Sequence, residues 1–175
     1  TTDELNGTYV KRGISLGAGH NGKNIRIRVT CNGMTSSGEK FGFDEFSITH
    51  TPVACTEPTT EPADPTFTGV GTTTTTVNWA TSGDGDNVLV VAKASGSTLT
   101  APTTGTGYTA STTFGSGTQL GTGNYVVFDG SGSTVSVIGL SEGTAYDYYI
   151  YAYNATGDCY YLAAYGQGSQ TTTCT

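Results

Sequence analysis

Tyr146-Asp147-Tyr148-Tyr149-Ile150-Tyr151-Ala152-Tyr153-Asn154 alternates in a way that suits only an extended chain. Tyr146 and Tyr148 share one parity; Tyr149, Tyr151 and Tyr153 share the other. On a strand, successive side chains point to opposite faces, so this stretch is a β-strand with aromatic residues on both. The spacing predicts one face in a core. It predicts the other, carrying Tyr149, Tyr151 and Tyr153, as an exposed aromatic strip suited to a protein or glycan interface.

The neighbouring sequence extends the pattern. Asn87–Ala94 carries Val88, Leu89, Val90 and Val91 without interruption, as a buried strand does. Thr72–Trp79, Asn124–Asp129, Thr134–Ile138 and a last run from about Gly168 to Cys174 read as further strands. Residues 95–121, rich in Gly, Ser and Thr, read as a long loop with a turn or short strand near Tyr108. About seven strands in some 110 residues is the size of an immunoglobulin-like sandwich. No segment has a helical period. Composition agrees. Glycine is abundant at 26 residues, which suits frequent turns. Threonine and tyrosine suit half-buried pleated surfaces.

Three features of residues 62–175 resemble the fibronectin type III family: Trp79 at the end of the second strand, Leu140 followed by Tyr146 within Gly139-Leu140-Ser141-Glu142-Gly143-Thr144-Ala145-Tyr146, and the alternating strand ending on Ala152, Tyr153 and Asn154. The resemblance implies a core role for Trp79 and a tyrosine corner at Leu140 and Tyr146, whose hydroxyl bonds nearby backbone. Asn87–Ala94, Gly107-Tyr108-Thr109-Ala110, Phe114–Gly121 and Asn124–Phe128 together look like a variant repeated in large secreted proteins of Bacteroidetes, many of them exported by the type IX route.

Towards the N-terminus, Pro52–Pro65 holds four of the five prolines and reads as an extended linker. Before it, Lys23–Thr30 alternates strictly and Phe41–Ile48 reads as a second strand, with Tyr9–Leu16 a candidate third. Three strands cannot cover their own apolar face. Residues 1–51 are therefore expected to be part of a jelly-roll-like β-sandwich, completed by more of a parent chain or by a partner. They resemble, more loosely, the last strands of carbohydrate-binding or adhesin jelly rolls. The chain opens directly on Thr1-Thr2-Asp3, as a mature chain or one cut from something longer would.

The net charge of −7, with basic residues mostly within Lys11–Lys40, argues against a nucleic-acid partner. No apolar run is long enough to span a bilayer. The four cysteines, Cys31, Cys55, Cys159 and Cys174, form no CxxC pair and read as disulfides made outside the cytoplasm. Three pairings are open to them, and proximity favours Cys31–Cys55 with Cys159–Cys174.

Catalytic machinery is not expected. His20 lies in a turn and His50 opens the linker, neither beside a nucleophile motif. Asp44 and Glu45 are adjacent and point to opposite strand faces, so they cannot flank one glycosidic bond. Asp44, Asp84 and Asp86 are weak candidates for structural calcium, the latter two within a turn, Asp84-Gly85-Asp86-Asn87, that lacks the later ligands of a calcium loop. No cofactor motif is present, and Asn6-Gly7-Thr8 and Asn154-Ala155-Thr156 fit the N-glycosylation triplet. The expected role is a structural or adhesive component of a surface assembly, with self-association or a parent chain as partner. The alternatives are an accessory module of a secreted hydrolase, or carbohydrate binding by the first segment.

Overall fold

The computed structural model describes residues 55–80 and 82–175. The expectations for residues 1–51, including Asp44, Cys31, His20, His50 and the triplet at Asn6, lie outside these residues.

The described chain is all-β, in two sheets packed as a sandwich. Its strands are β1 (Thr66–Thr68), β2 (Thr74–Asn78), β3 (Asn87–Ala94), β4 (Gln119–Gly121), β5 (Asn124–Gly130), β6 (Thr134–Ile138), β7 (Ala145–Asn154), β8 (Cys159–Tyr160) and β9 (Gly166–Thr171). One sheet has the order β1-β2-β6. The larger has the order β4-β5-β3-β7-β8, with β9 also on β7. Every strand-to-strand pairing is antiparallel.

Residues of one parity fill the space between the sheets. Val77 and Trp79 meet Val88, Val90 and Ala92 of β3, Val135 and Val137 of β6, and Tyr146, Tyr148 and Ile150 of β7. Trp79 follows β2 directly and packs edge-on against Phe128 at 5.2 Å between ring centroids. A bulge in β5 shapes this layer. Val90 stands opposite Phe128 but Val91 opposite Val126, so Val127 is the inserted residue. Val127 and Phe128 thereby both serve the core between the sheets, while Val126 turns to the other side.

The opposite face of the larger sheet carries a second core, and this corrects the expected exposed strip. Tyr151 is fully buried and Tyr153 only 5% exposed. They pack with Leu89 and Val91 of β3, Val126 of β5 and Tyr160 of β8, and Tyr149 joins at the margin, half-buried. Two segments cover them. The long connection between β3 and β4 supplies Tyr108 and Ala110, and the stretch after β7 supplies Tyr160 and Tyr165. Tyr153 lies 4.9 Å from Tyr160, and Tyr151 lies 5.1 Å from Tyr165. Two hydrogen bonds fix the cover: Gly105 N–H donates to the Asp158 carbonyl, and Tyr160 Oη donates to the Thr106 carbonyl.

The strands absent from the sequence reading, β1, β4 and β8, are two or three residues long. Runs so short carry no alternation to read. The last strand begins at Gly166 and ends at Thr171, earlier than expected at both ends, because its register follows β7 from Ile150 to Ala145.

Candidate functional site

A cluster of polar contacts lies at one pole of the sandwich, where the proline-rich stretch arrives. From Cys55 onward that stretch is a strap laid on the domain. Pro58, Pro62 and Pro65 are buried. Proline suits the role, since a segment with few N–H groups leaves few donors to satisfy when it is covered.

Side chains of the β2–β3 turn and of β7, and one of its own, hold it. Asp84 accepts N–H bonds from Thr59 and Thr60 on Oδ1, both at 2.8 Å, and the Thr59 hydroxyl on Oδ2 at 2.7 Å. The Thr59 hydroxyl, the Thr60 N–H and the Thr59 N–H outweigh desolvation and hold the Asp84 carboxyl below its ordinary value. Asn154 donates to the Thr56 carbonyl at 2.9 Å and accepts the Asp86 N–H at 3.2 Å. Farther along, Asp64 accepts the Gln167 N–H at 2.8 Å. Gly85 is required where the strap crosses: a Cβ there would lie 2.8 Å from the Tyr153 carbonyl oxygen and 3.0 Å from Pro58 Cγ.

Thr56, Asp84, Asp86, Asn154 and Thr156 line a polar recess at this pole. The calcium candidates Asp84 and Asp86 both border it, and Asp84 directs both its oxygens to the strap. Among the described residues, no three His, Cys, Asp or Glu side chains gather as metal ligands would. Asn154, first residue of a glycosylation triplet, uses its amide as a bridge between the strap and the β2–β3 turn.

The pole is closed by a disulfide between Cys55 and Cys159, with Cα atoms 5.5 Å apart. This corrects the pairing that proximity favours. Cys159 stands opposite Asn154 at one end of β7, whereas β9 leaves β7 at Ala145, its other end, before reaching Cys174. Strands rise about 3.3 Å per residue, which separates the two ends far beyond disulfide reach. Among the described residues, Cys174 has no disulfide partner, and it is exposed.

At the other end of the sheet, Tyr146 Oη accepts the Ser141 N–H at 2.9 Å, and Leu140 is buried in the core beside it. This is the geometry of a tyrosine corner.

The sequence reading passed over one ion pair. Lys93 is the only Lys or Arg between residues 55 and 175. Its ammonium donates to Asp147 Oδ2 at 2.6 Å, and the two side chains are 4% and 17% exposed. The hydroxyls of Ser95 and Ser169 donate to Asp147 Oδ1, and the Lys93 ammonium sits 5.6 Å from the Tyr149 ring centre. Desolvation opposes both charges. Their mutual hydrogen bond and charge attraction, with the two serine hydroxyls on Asp147 and the polar end of the Tyr149 side chain beside Lys93, outweigh it. Asp147 is held below its ordinary value and Lys93 above its own. The signal was available, because a single cation within an apolar strand run needs a partner on the adjacent strand.

No family model matches the chain, and no curated protein matches it. Solved structures do. A fibronectin type III domain of human fibronectin type III domain containing protein 3 is 19% identical, covering 70% of this chain and 92% of that one, with a TM-score of 0.42. A fibronectin type III domain of human collagen XX is 16% identical over 70% of this chain and all of that one, with a TM-score of 0.40. The fifth such domain of Drosophila Lar is 17% identical over 65% and 96%, with a TM-score of 0.39. Among the described residues, no helix is long and apolar enough to cross a membrane.

Proposed function

We propose that this chain is a non-catalytic extracellular module of the fibronectin type III kind, serving as a structural or adhesive component of a surface assembly. The observation that carries the reading is the strap locked by Cys55–Cys159. A stable disulfide belongs to an oxidising compartment. A strap bound covalently at one end and by Asp84, Asn154 and Asp64 along its length fixes where the chain enters the domain. That suits a part built to hold position.

A second feature supports assembly. β6 ends the smaller sheet. Among the described residues, its outer edge meets the β3–β4 connection only around Ile138. The remainder, Thr134–Val137, carries neither lysine nor proline, the residues that commonly blunt an edge.

Light scattering on a size-exclusion column, with negative-stain microscopy, tests the reading on the full chain. A fixed oligomer or filaments is the expected result. A monomer at every concentration sinks the assembly and makes the module a spacer within a longer secreted protein.

A further inference from the structure

We infer that the Cys55–Cys159 disulfide is a tension shunt, which leaves the domain almost inextensible while oxidised and extensible once reduced. The inference goes beyond the assembly reading and holds for a monomer or a filament alike.

The argument is one of covalent topology. Tension applied through the two ends of the chain enters the domain at Cys55. The disulfide passes it directly to Cys159, a sequence separation of 104 residues. Everything between the two cysteines lies inside a closed loop and carries no load. That loop holds the strap, β1 to β7 and nearly all of both cores.

The load continues through the chain from Cys159 to the C-terminus, and that segment has little slack. β8 and β9 both pair with β7 antiparallel, one after the other along its length. Cys159 stands opposite Asn154, and Thr171 opposite Ala145. The chain from Cys159 to Thr171 therefore already runs beside β7 nearly end to end. Only the bulged stretch between Tyr160 and Gly166 can straighten. Tension meets a peptide chain close to its full length, and Tyr160 and Tyr165 are the only residues of the two cores that lie on it.

Reduction changes the path. A dithiol such as dithiothreitol gives two electrons and two protons to the bond, leaving Cys55 and Cys159 as thiols and closing its own disulfide. Load then runs into the strap, whose bonds to Asp84 and Asn154 become the first resistance. The domain can then unravel completely.

The test is single-molecule stretching of the full chain carrying Cys174→Ser, held by enzymatically attached terminal tags that add no cysteine. A fully extended chain spans about 3.6 Å per residue, so reduction should lengthen the stretched molecule by about 370 Å. Stretched length does not depend on how well a variant folds, so Cys55→Ser should show the long value without reductant. A gain of about 90 Å, as a Cys31–Cys55 bridge would give, or about 460 Å, as Cys31–Cys159 would give, overturns the inference. So does no gain. Asp84→Asn adds a second reading. It should lower the unfolding force of the reduced protein and leave the oxidised trace unchanged; a change in the oxidised trace would put the strap in the load path and refute the shunt.

Discussion

The Lys93–Asp147 pair allows a sharp test, because its two partners are buried to different degrees. Asp147→Ala strands an ammonium whose side chain is only 4% exposed, with the Tyr149 ring as its remaining company. Breaking a buried pair this way costs about 3–5 kcal/mol. Lys93→Met is milder. It leaves a carboxylate that is 17% exposed and still accepts the Ser95 and Ser169 hydroxyls. A cost of about 1–3 kcal/mol fits a charged group that keeps part of its hydrogen bonding. Lys93→Met with Asp147→Leu removes both charges and fills the space with apolar atoms. It should fall within about 1 kcal/mol of the parent, since buried pairs often exchange for hydrophobic ones at little cost. Urea unfolding followed by fluorescence of Trp79, the single tryptophan, measures all three. The pH dependence is a further arm. Asp147 is lowered in the fold, so its contribution is present above the unfolded value near 3.9 and is lost as pH falls through the folded value. Lys93 is raised, so its contribution is present below about 10.4 and is lost as pH rises through the folded value. Lys93→Met should flatten the alkaline limb. A cost under about 1 kcal/mol for Asp147→Ala, or a double variant as unstable as the two singles combined, would refute the reasoning.

Three further outcomes follow from local geometry. Tyr146→Phe leaves the part-buried Ser141 N–H without its acceptor and should cost about 1–2 kcal/mol in urea unfolding; a change near zero would mean that water replaces the bond. Gly85→Ala drives a Cβ into the Tyr153 backbone and Pro58, and should cost about 1–3 kcal/mol while speeding proteolysis within the strap; unchanged cleavage would show that the strap is not held there. Burial raises Tyr148, Tyr151 and Tyr160, and burial with the bond to Asp129 pushes Tyr153 up to about 12. Stability should therefore hold below the unfolded value near 10 and fall above it, so that tyrosinate absorbance from these residues rises together with loss of the β circular-dichroism signal. Smooth titration of every tyrosine with the fold intact would contradict their burial.

What could be read from the sequence was what local period encodes. Asn87–Ala94 and Thr134–Ile138 are strands over the residues their patterns mark, and the all-β sandwich follows from them. The strap was hidden because proline and threonine mark a chain as extended without saying what it lies against. Its partners stand far off in sequence: Asp84 binds Thr59 from 25 positions away, and Asn154 binds Thr56 from 98. The disulfide was misplaced for the same reason. Proximity along the chain ranks Cys174 first for Cys159, whereas β7 sets the two at opposite ends of one strand.

The second core is a more instructive case, because the residues already contained the contradiction. Val88–Val91 is apolar on both parities, and a strand with that pattern is covered on both faces. Antiparallel pairing then decides for its neighbour. Leu89 stands opposite Tyr151 and Val91 opposite Tyr149, so whatever buries Leu89 and Val91 must also lie over those tyrosines. An exposed strip at Tyr149, Tyr151 and Tyr153 was therefore incompatible with a doubly buried strand beside it. The cover had to come from an adjoining segment long enough to cross the sheet and carrying apolar residues. Residues 95–121, with Tyr108, and the stretch after Asn154, with Tyr160 and Tyr165, meet that requirement. The disulfide then acts on this layer directly, since Cys159 precedes Tyr160, whose ring packs on Tyr153 and Tyr108. Strap, second core and load path thus meet at one residue pair. Opening Cys55–Cys159 should loosen the tyrosine layer before it disturbs the core around Trp79, so hydrogen exchange at the Gly105 and Tyr161 amides, which donate to the Asp158 and Ala152 carbonyls, should rise on reduction while that of β2 and β6 stays slow. Equal acceleration in both layers would show that the disulfide supports the whole sandwich, not this face of it.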